Sequence, residues 1–488
     1  MEKNQKTYIL FFILALGFVL YFLFVDYDKL GIFADDIGTI YYLNREFTLR
    51  ELIIYSHNWD AARDLHLIWQ KFFLSISQPE IIKNIHFYQL LLYLLNSLIL
   101  FWLLIKFKID FNISFTCVIF FMFFTVYSEV AFWTHAFTMV LMSTFFFLIF
   151  IILNLNLSMR KTKNFTLELL SLFFLILCLF TYEQAIITSL LIIFIREVYL
   201  IKEKNKKLPQ SLFTFFLYLF LIISFAVYKL NEAGTFNNES QLYFTGSKTS
   251  QFDQILKNII HGYAIFIIQL IKIDLTSFYR FVSENYLILI IFLIVLMLLF
   301  LNYKKNIIKK NDKYIVYKTT ICFILYTSSM FPLYLHYISD RHFYIPSIFA
   351  VIGLSYIITS IYKYLENKRV KLFLLNFVLS IFLINNIVNF NISKNHYINN
   401  FEIKKKFYRN LSKTIDLKKY NHLILVNFPD LYNGTIFFAH EQADALKLAL
   451  ENDNNPSIIK DDNRNLNNSL KIKFTEINNS KIIYEFIN

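Results

Sequence analysis

Long, nearly uninterrupted apolar runs, separated by short linkers that carry most of the basic residues, constrain this chain more than any motif does. A bilayer-spanning helix needs ~20 apolar residues. Hydropathy places such runs at 8–25, 87–105, 113–127, 136–155, 165–182, 185–200, 212–230, 286–301, 314–334, 343–362 and 372–390. They make about eleven spans. Inside a bilayer each backbone N–H and C=O must be paired within its own segment or a closed barrel, so runs of this length are helices. The expected fold class is an all-α polytopic membrane protein. Composition agrees, with 57% hydrophobic and 17% charged residues, against roughly 45–50% and 25% in soluble chains.

The formal charge of +13 is distributed in a way that orients the spans. Lys106/Lys108, Arg160 to Lys163, Lys202 to Lys207, Lys304 to Lys313 and Lys368 to Lys371 all fall on one side of the threading. The positive-inside rule assigns that side to the cytoplasm. The loops 26–86, 128–135, 183–184, 231–285 and 335–342, with everything after 390, then lie outside. No basic face interleaved with aromatic residues stands outside the spans, which argues against nucleic acid as a partner. Lys3 and Lys6 precede an apolar run from Tyr8 to Val25 that exceeds the ~7–15 residues of a signal-peptide core, and no small-x-small site follows, so it reads as an uncleaved span with a cytoplasmic N-terminus.

Some stretches depart from this regularity. Within 252–281 the apolar part, Tyr263 to Ile273, is short, and a crossing there would carry the basic 304–313 linker outside. It reads as an interfacial or re-entrant helix. The runs 113–127 and 165–182 are also short, which predicts a depression at their outer ends. Cys117, Cys178 and Cys322 lie in apolar runs and read as small buried hydrophobes. No internal repeat appears, which weakens a secondary-transporter reading.

After 390 the composition turns to Asn, Lys and Asp. His422 to Phe428 predicts a buried strand and Glu441 to Leu450 a short helix. Leu470 to Phe474 and Lys481 to Phe486 flank Asn478-Asn479-Ser480 as a hairpin. The chain is thus expected to divide into a membrane domain at 1–390 and a small extracytoplasmic α/β domain at 391–488.

Residues with chemical capacity gather in the outer loops. Asp35 and Asp36 follow the first span. Adjacent carboxylates at a membrane boundary repel, and one protonates more easily unless a cation is near; the alternative is a solvated pair or a helix cap. Arg63 and His66 share a helix face at i, i+3 and suit an anionic phosphate, unless Arg63 pairs with Asp60 or Asp64. Glu129 and His135 lie in one loop, Glu183 in a tight turn, and Asp340, Arg341, His342 and Tyr344 before a late span. Each can be an interfacial anchor, and Trp133 and Tyr344 fit aromatic-belt positions. Together they form a polar rim on one side of the bundle. There is no phosphate-cradling Gly-rich loop, HExxH, paired CxxC or GxSxG motif. No cytoplasmic segment is large enough for a nucleotide-sugar site.

The order of these features over residues 1–360 resembles the polytopic glycosyltransferases of the GT-C fold class, and most closely the bacterial relatives of the protein O-mannosyltransferases and the lipid A aminoarabinose transferases. The shared features are a first span followed by a long outer loop opening on Asp35-Asp36, then an Arg- and His-bearing helix. The segment Glu129-Val-Ala-Phe-Trp is similar to the group's second-outer-loop pattern. Tyr182-Glu183 resembles its Lys-Glu turn with Tyr in place of Lys, and Arg341 with Tyr344 resembles an Arg-x-x-Tyr-x-Pro pattern. The resemblance implies a polyprenyl-phosphate sugar donor and an outer-side acceptor, in a bacterial inner membrane. It makes Asp35 or Asp36 the general base of a single inverting displacement. It places Arg63, His66, Arg341 and His342 on the departing phosphate, and Glu129, His135, Glu183 and Tyr344 around acceptor or sugar hydroxyls. Some relatives hold a divalent metal between outer acids. Asp35, Asp36 and Glu129 can supply oxygen ligands to Mg or Mn. Competing expectations are an O-antigen-type polymerase, a lipid-linked-oligosaccharide flippase or other transporter, and a purely structural membrane protein.

Overall fold

A computed structural model describes residues 15–31, 65–78, 80–124, 128–159, 164–204, 207–235, 313–334, 340–365, 369–416, 419–420 and 422–428. It also describes the strands at 431–432, 435–436, 457–460, 469–478 and 481–487, and positions 43, 48, 50–52 and 54. The interfacial segment expected at 252–281, the run at 286–301 and the helix expected at 441–450 lie outside the described residues.

Helices stand at the hydropathy runs that are described, and two further helices lie within the expected outer loops 26–86 and 128–135. They are α1 (15–24), α2 (His66–Ile76), α3 (Ile81–Lys106), α4 (Phe111–Phe123), α5 (Ser128–Phe132), α6 (Phe137–Met159), α7 (Phe165–Thr181), α8 (Ile186–Lys204), α9 (Leu208–Thr235), α10 (Lys313–Tyr334), α11 (Tyr344–Leu365) and α12 (Arg369–Thr414). The first turn of α6, Phe137–Leu141, is π-helical. Short 3-10 turns at Glu183–Ala185 and Asp340–Phe343 lead into α8 and α11. Among the described residues, six helices are long and apolar enough to cross a membrane. The shortness of two runs persists: α4 has 13 residues and α7 has 17, below the ~20 that match a ~30 Å hydrocarbon layer.

The outer surface of the bundle is apolar as well as its core, unlike that of a soluble bundle. Large apolar side chains point outward, as with Phe213, Phe216 and Phe220 along one face of α9, at 72%, 56% and 70% exposure. Polar side chains point inward and join helices. Asn96 donates to the Leu141 carbonyl at 3.0 Å, Thr188 meets Ser328 at 3.1 Å, and the Tyr93 hydroxyl donates to the Met122 carbonyl at 2.6 Å. In lipid, packing and interhelical hydrogen bonds replace the hydrophobic effect as the cohesive terms. The chain is a multi-pass membrane protein.

Apolar character falls after 390, yet α12 continues to Thr414 as one helix of 46 residues. Its buried face runs on through Tyr397, Ile403, Phe407 and Leu411. Lys394 is buried with it, because its ammonium donates to the Phe22 and Val25 carbonyls at 2.9 and 2.8 Å, at the end of α1. A cation at a helix C-terminus satisfies carbonyls that have no intrahelical donor.

The far end of α12 carries a small sheet. Strands β1 (His422–Val426), β4 (Ser457–Lys460), β5 (Ser469–Asn478) and β6 (Lys481–Ile487) pair in the order β4-β1-β5-β6. β1 is parallel to both neighbours, whereas β5 and β6 form the antiparallel hairpin expected around Asn479-Ser480. β2 (Leu431–Tyr432) and β3 (Thr435–Ile436) form a separate two-residue pair. Central β1 buries Leu423, Ile424 and Leu425 in succession, as a strand covered on both faces does. Phe407 of α12 packs on Phe428 and Tyr484, with centroids 5.4 and 5.3 Å apart.

Candidate functional site at one end of the bundle

Asp35, Asp36 and Arg63 lie outside the described residues. The segment before the acidic pair is tied down at Gly31. The Gly31 carbonyl meets His86 Nε2 of α3 at 2.9 Å, while His86 Nδ1 meets Gln89 Oε1 at 3.1 Å. Gln89 in turn donates to the Val130 and Trp133 carbonyls at 2.9 and 3.0 Å. A Cβ on Gly31 would run into the Phe401 ring, so the α12 ring occupies the space of a side chain there. The polar relay holds Gly31 beside the helix that carries Glu129.

Helix α2 brings the rest of the first loop to the same end. The Leu65 amide donates to the Phe180 carbonyl at 3.3 Å, and the Trp69 indole donates to Thr181 Oγ1 at 3.2 Å. Lys71 donates to the Leu43 carbonyl. Upstream, Thr48 and Glu51 form a reciprocal cap, with the Thr48 amide on Glu51 Oε2 at 2.9 Å and the Glu51 amide on Thr48 Oγ1 at 3.3 Å. This is the capping-box geometry of a helix start. His66, the first residue of α2, is fully buried.

The turn after α7 receives these contacts and adds others. Tyr182 is extended at its end, and its ring lies parallel to His342 at 6.3 Å. Gln184 donates to the His342 carbonyl at 2.5 Å. Glu183 pairs with Lys229 of α9 at 2.5 Å, both partly exposed. His66, Glu183 and His342, read from three distant stretches of sequence, thus sit on elements locked to one another. Chain order alone does not disclose Lys229, although a lysine closing a span opposite the basic linkers runs against the positive-inside pattern.

The remaining predicted residues divide. Glu129 lies in α5, between Ser128, which bonds Ser393 of α12 at 2.9 Å, and the Gln89 relay. His135 falls in the helical turn Thr134–Ala136 and Arg341 in the 3-10 turn Asp340–Phe343; their side chains are outside the described set. Tyr344 points inward. Its ring stacks on Tyr93 at 5.5 Å and meets Phe121 at 5.0 Å, in the packed core under the rim. Among the described residues no group of His, Cys, Asp and Glu is large enough to hold a metal ion. Of the three possible Mg or Mn ligands only Glu129 is among them, so no step is derived through a metal.

The chain matches no known family, no curated protein and no solved structure. Chemical capacity is therefore read from geometry alone. Acid, amide, imidazole and ammonium groups converge where helices as short as α4 and α7 end.

A second polar centre lies at the other ends of α7 and α8. Arg196 is buried, and every N–H of its guanidinium is used. Nε and Nη2 donate to Glu197 at 3.0 and 2.7 Å, Nη1 and Nη2 to Glu168 at 3.0 and 2.9 Å, and Nη1 to Asn154 at 2.7 Å. Tyr218 donates to Glu168 at 3.0 Å, and Asn154 donates to Ser171 at 2.9 Å. The network ties α6, α7, α8 and α9 together. Hydropathy treats 185–200 as a span nearly free of charge; the Arg196-Glu197 dipeptide inside it was the available signal.

Proposed function

We propose that this protein is an inverting glycosyltransferase, a hexosyl- or pentosyltransferase of GT-C type, that moves a sugar from a polyprenyl-phosphate donor to a glycan, lipid or protein acceptor on the outer face of a bacterial inner membrane. The observation that carries this reading is the convergence at one end of the bundle. Helix α2, which begins at His66, the Tyr182–Gln184 turn and His342 are joined by hydrogen bonds across three separate stretches of chain, and a second set of hydrogen bonds ties Gly31, ahead of Asp35-Asp36, to α3 and the segment that carries Glu129. In this reading Asp35 or Asp36 takes the proton of the acceptor hydroxyl as its oxygen attacks the anomeric carbon. The bond to the phosphate oxygen breaks, and Arg63, His66, Arg341 and His342 stabilise the departing phosphate. Glu129 and Glu183 orient hydroxyls, and Lys229, held by Glu183, adds a cation at the rim. The membrane supplies the donor, and the N-terminus is cytoplasmic with 391–488 outside.

The test is lipid analysis of cells lacking the protein, complemented with wild type, Asp35→Asn or Asp36→Asn. Both variants are expected to insert normally, and at least one to leave a polyprenyl-phosphate monosaccharide accumulated and a surface glycan short of one sugar. Full activity in both refutes the assignment of the base. A reporter fused after Asn488 that is active only in the cytoplasm refutes the sidedness.

One observation favours a second reading. A transporter or flippase of a lipid-linked oligosaccharide needs charged groups within its spans, and Arg196 with Glu197 and Glu168 is such a group. Accumulation of a complete lipid-linked oligosaccharide in the deletion strain would favour it, or the related polymerase.

A further inference from the structure

Gln70 lies on the buried face of α2, one turn after His66, and is fully inaccessible. Among the described residues, neither its amide nitrogen nor its carbonyl oxygen has a hydrogen-bond partner. A buried carboxamide with donor and acceptor both unmade is costly, and folded proteins rarely keep one without a use. Its surroundings carry the same mark. Phe73, one turn further along α2, packs on Phe137 at 4.4 Å. The next residue, Thr138 in the π-helical turn, has a buried hydroxyl without a partner. In the turn to which α2 is tied through Trp69 and Thr181, the Gln184 carbonyl oxygen is likewise buried and unmade. π-Turns of this kind recur at functional sites.

We propose that Gln70 lines a buried subsite, between α2 and the start of α6, that takes a hydroxyl-rich sugar group. The chemistry selects the ligand. A carboxamide offers two donors and an acceptor side by side without charge, and Thr138 adds a hydroxyl that both donates and accepts. Vicinal sugar hydroxyls present the matching pattern. A phosphate would accept from the amide N–H groups but leave the carbonyl oxygens of Gln70 and Gln184 without a donor, and an acyl chain would leave every group unmade. The inference rests on the glycosyl-transfer reading and adds a residue to it: Gln70 contacts the sugar, while the rim holds the phosphate.

The experiment uses full-length protein in lipid nanodiscs, wild type against Gln70→Met, which keeps length and volume and removes hydrogen bonding. Binding of decaprenyl phosphate is compared with that of decaprenyl-phosphoryl glucose, mannose and arabinose. The expected result is that wild type prefers at least one sugar-bearing lipid over the bare phosphate by about tenfold or more. Gln70→Met loses that preference while keeping its affinity for the bare phosphate, and melts no lower than wild type without ligand. A preference retained in Gln70→Met overturns the subsite and leaves the donor reading standing. Wild type that binds none of the four lipids overturns both. A ligand-free Gln70→Met that melts well below wild type shows the amide already engaged within the protein, and overturns the subsite alone.

Discussion

Replacing Arg196 with Met separates a buried ionic hub from ordinary packing. The substitution removes the guanidinium from Glu197 and Glu168, whose side chains are 5% and 24% exposed. It also strips Asn154 Oδ1 of a donor at 2.7 Å and removes a cation lying 5.5 Å over the Tyr218 ring. Breaking a buried pair by deleting one partner costs about 3–5 kcal/mol, because the surviving charge stays in a medium that solvates it poorly. Glu168 reaches some solvent, so the lower part of that range, ~3 kcal/mol, is expected. Adding Glu168→Gln and Glu197→Gln to Arg196→Met leaves no uncompensated charge and should recover most of the loss, to within ~1–2 kcal/mol of wild type. The assay is equilibrium unfolding by SDS in mixed micelles, followed by helical circular dichroism. A cost under ~1 kcal/mol for Arg196→Met, or no recovery in the triple variant, would refute the ionic-hub account.

Other expectations follow from single contacts. Gly31→Ala puts a methyl group into the Phe401 ring; it should cost ~1–3 kcal/mol in the same unfolding assay and be partly rescued by Phe401→Ala, and a neutral Gly31→Ala would show that the approach is not constrained. Asp110 caps α4, accepting from the Asn112 amide at 2.8 Å, so Asp110→Ala should cost ~1 kcal/mol. Burial pushes the Asp110 carboxyl above the usual carboxylate range despite those amides. A folded-state pKa raised in this way favours the acid form, so Asp110's contribution to stability is largest below the ordinary carboxylate pKa and falls as pH rises through the elevated value. Asp110→Asn keeps the cap and should flatten that dependence; an unchanged pH profile would refute it.

The membrane helices were legible because bilayer insertion leaves only one local solution, a helix, for a long apolar run. The β5–β6 hairpin was legible from a turn signal between two β-rich stretches. The end of α12 was not. Hydropathy falls at 390, but the apolar face persists to Leu411, and Lys394 is buried because carbonyls from α1, distant in sequence, receive it. Among the predicted site residues, His66, Glu183 and His342 stand on elements that bond to one another, a meeting of three distant stretches that chain order does not encode. Nor was the inward direction of Tyr344 legible, since an aromatic at a helix start fits a membrane interface and a packed core equally well.

By itself the sequence determined that the chain crosses a membrane several times and where its long apolar helices lie, because each depends on the free energy of a segment in its solvent. Only the tertiary structure decided that His86 and Gln89 join Gly31 to Val130 and Trp133, that Lys229 meets Glu183, that Arg196 holds Glu168 and Glu197, and that Gln70 is buried with no partner among the described residues. Those facts depend on which helix faces which. Hydrogen bonds and ion pairs act over a few ångströms between groups far apart along the chain, and no local pattern of residues encodes that meeting.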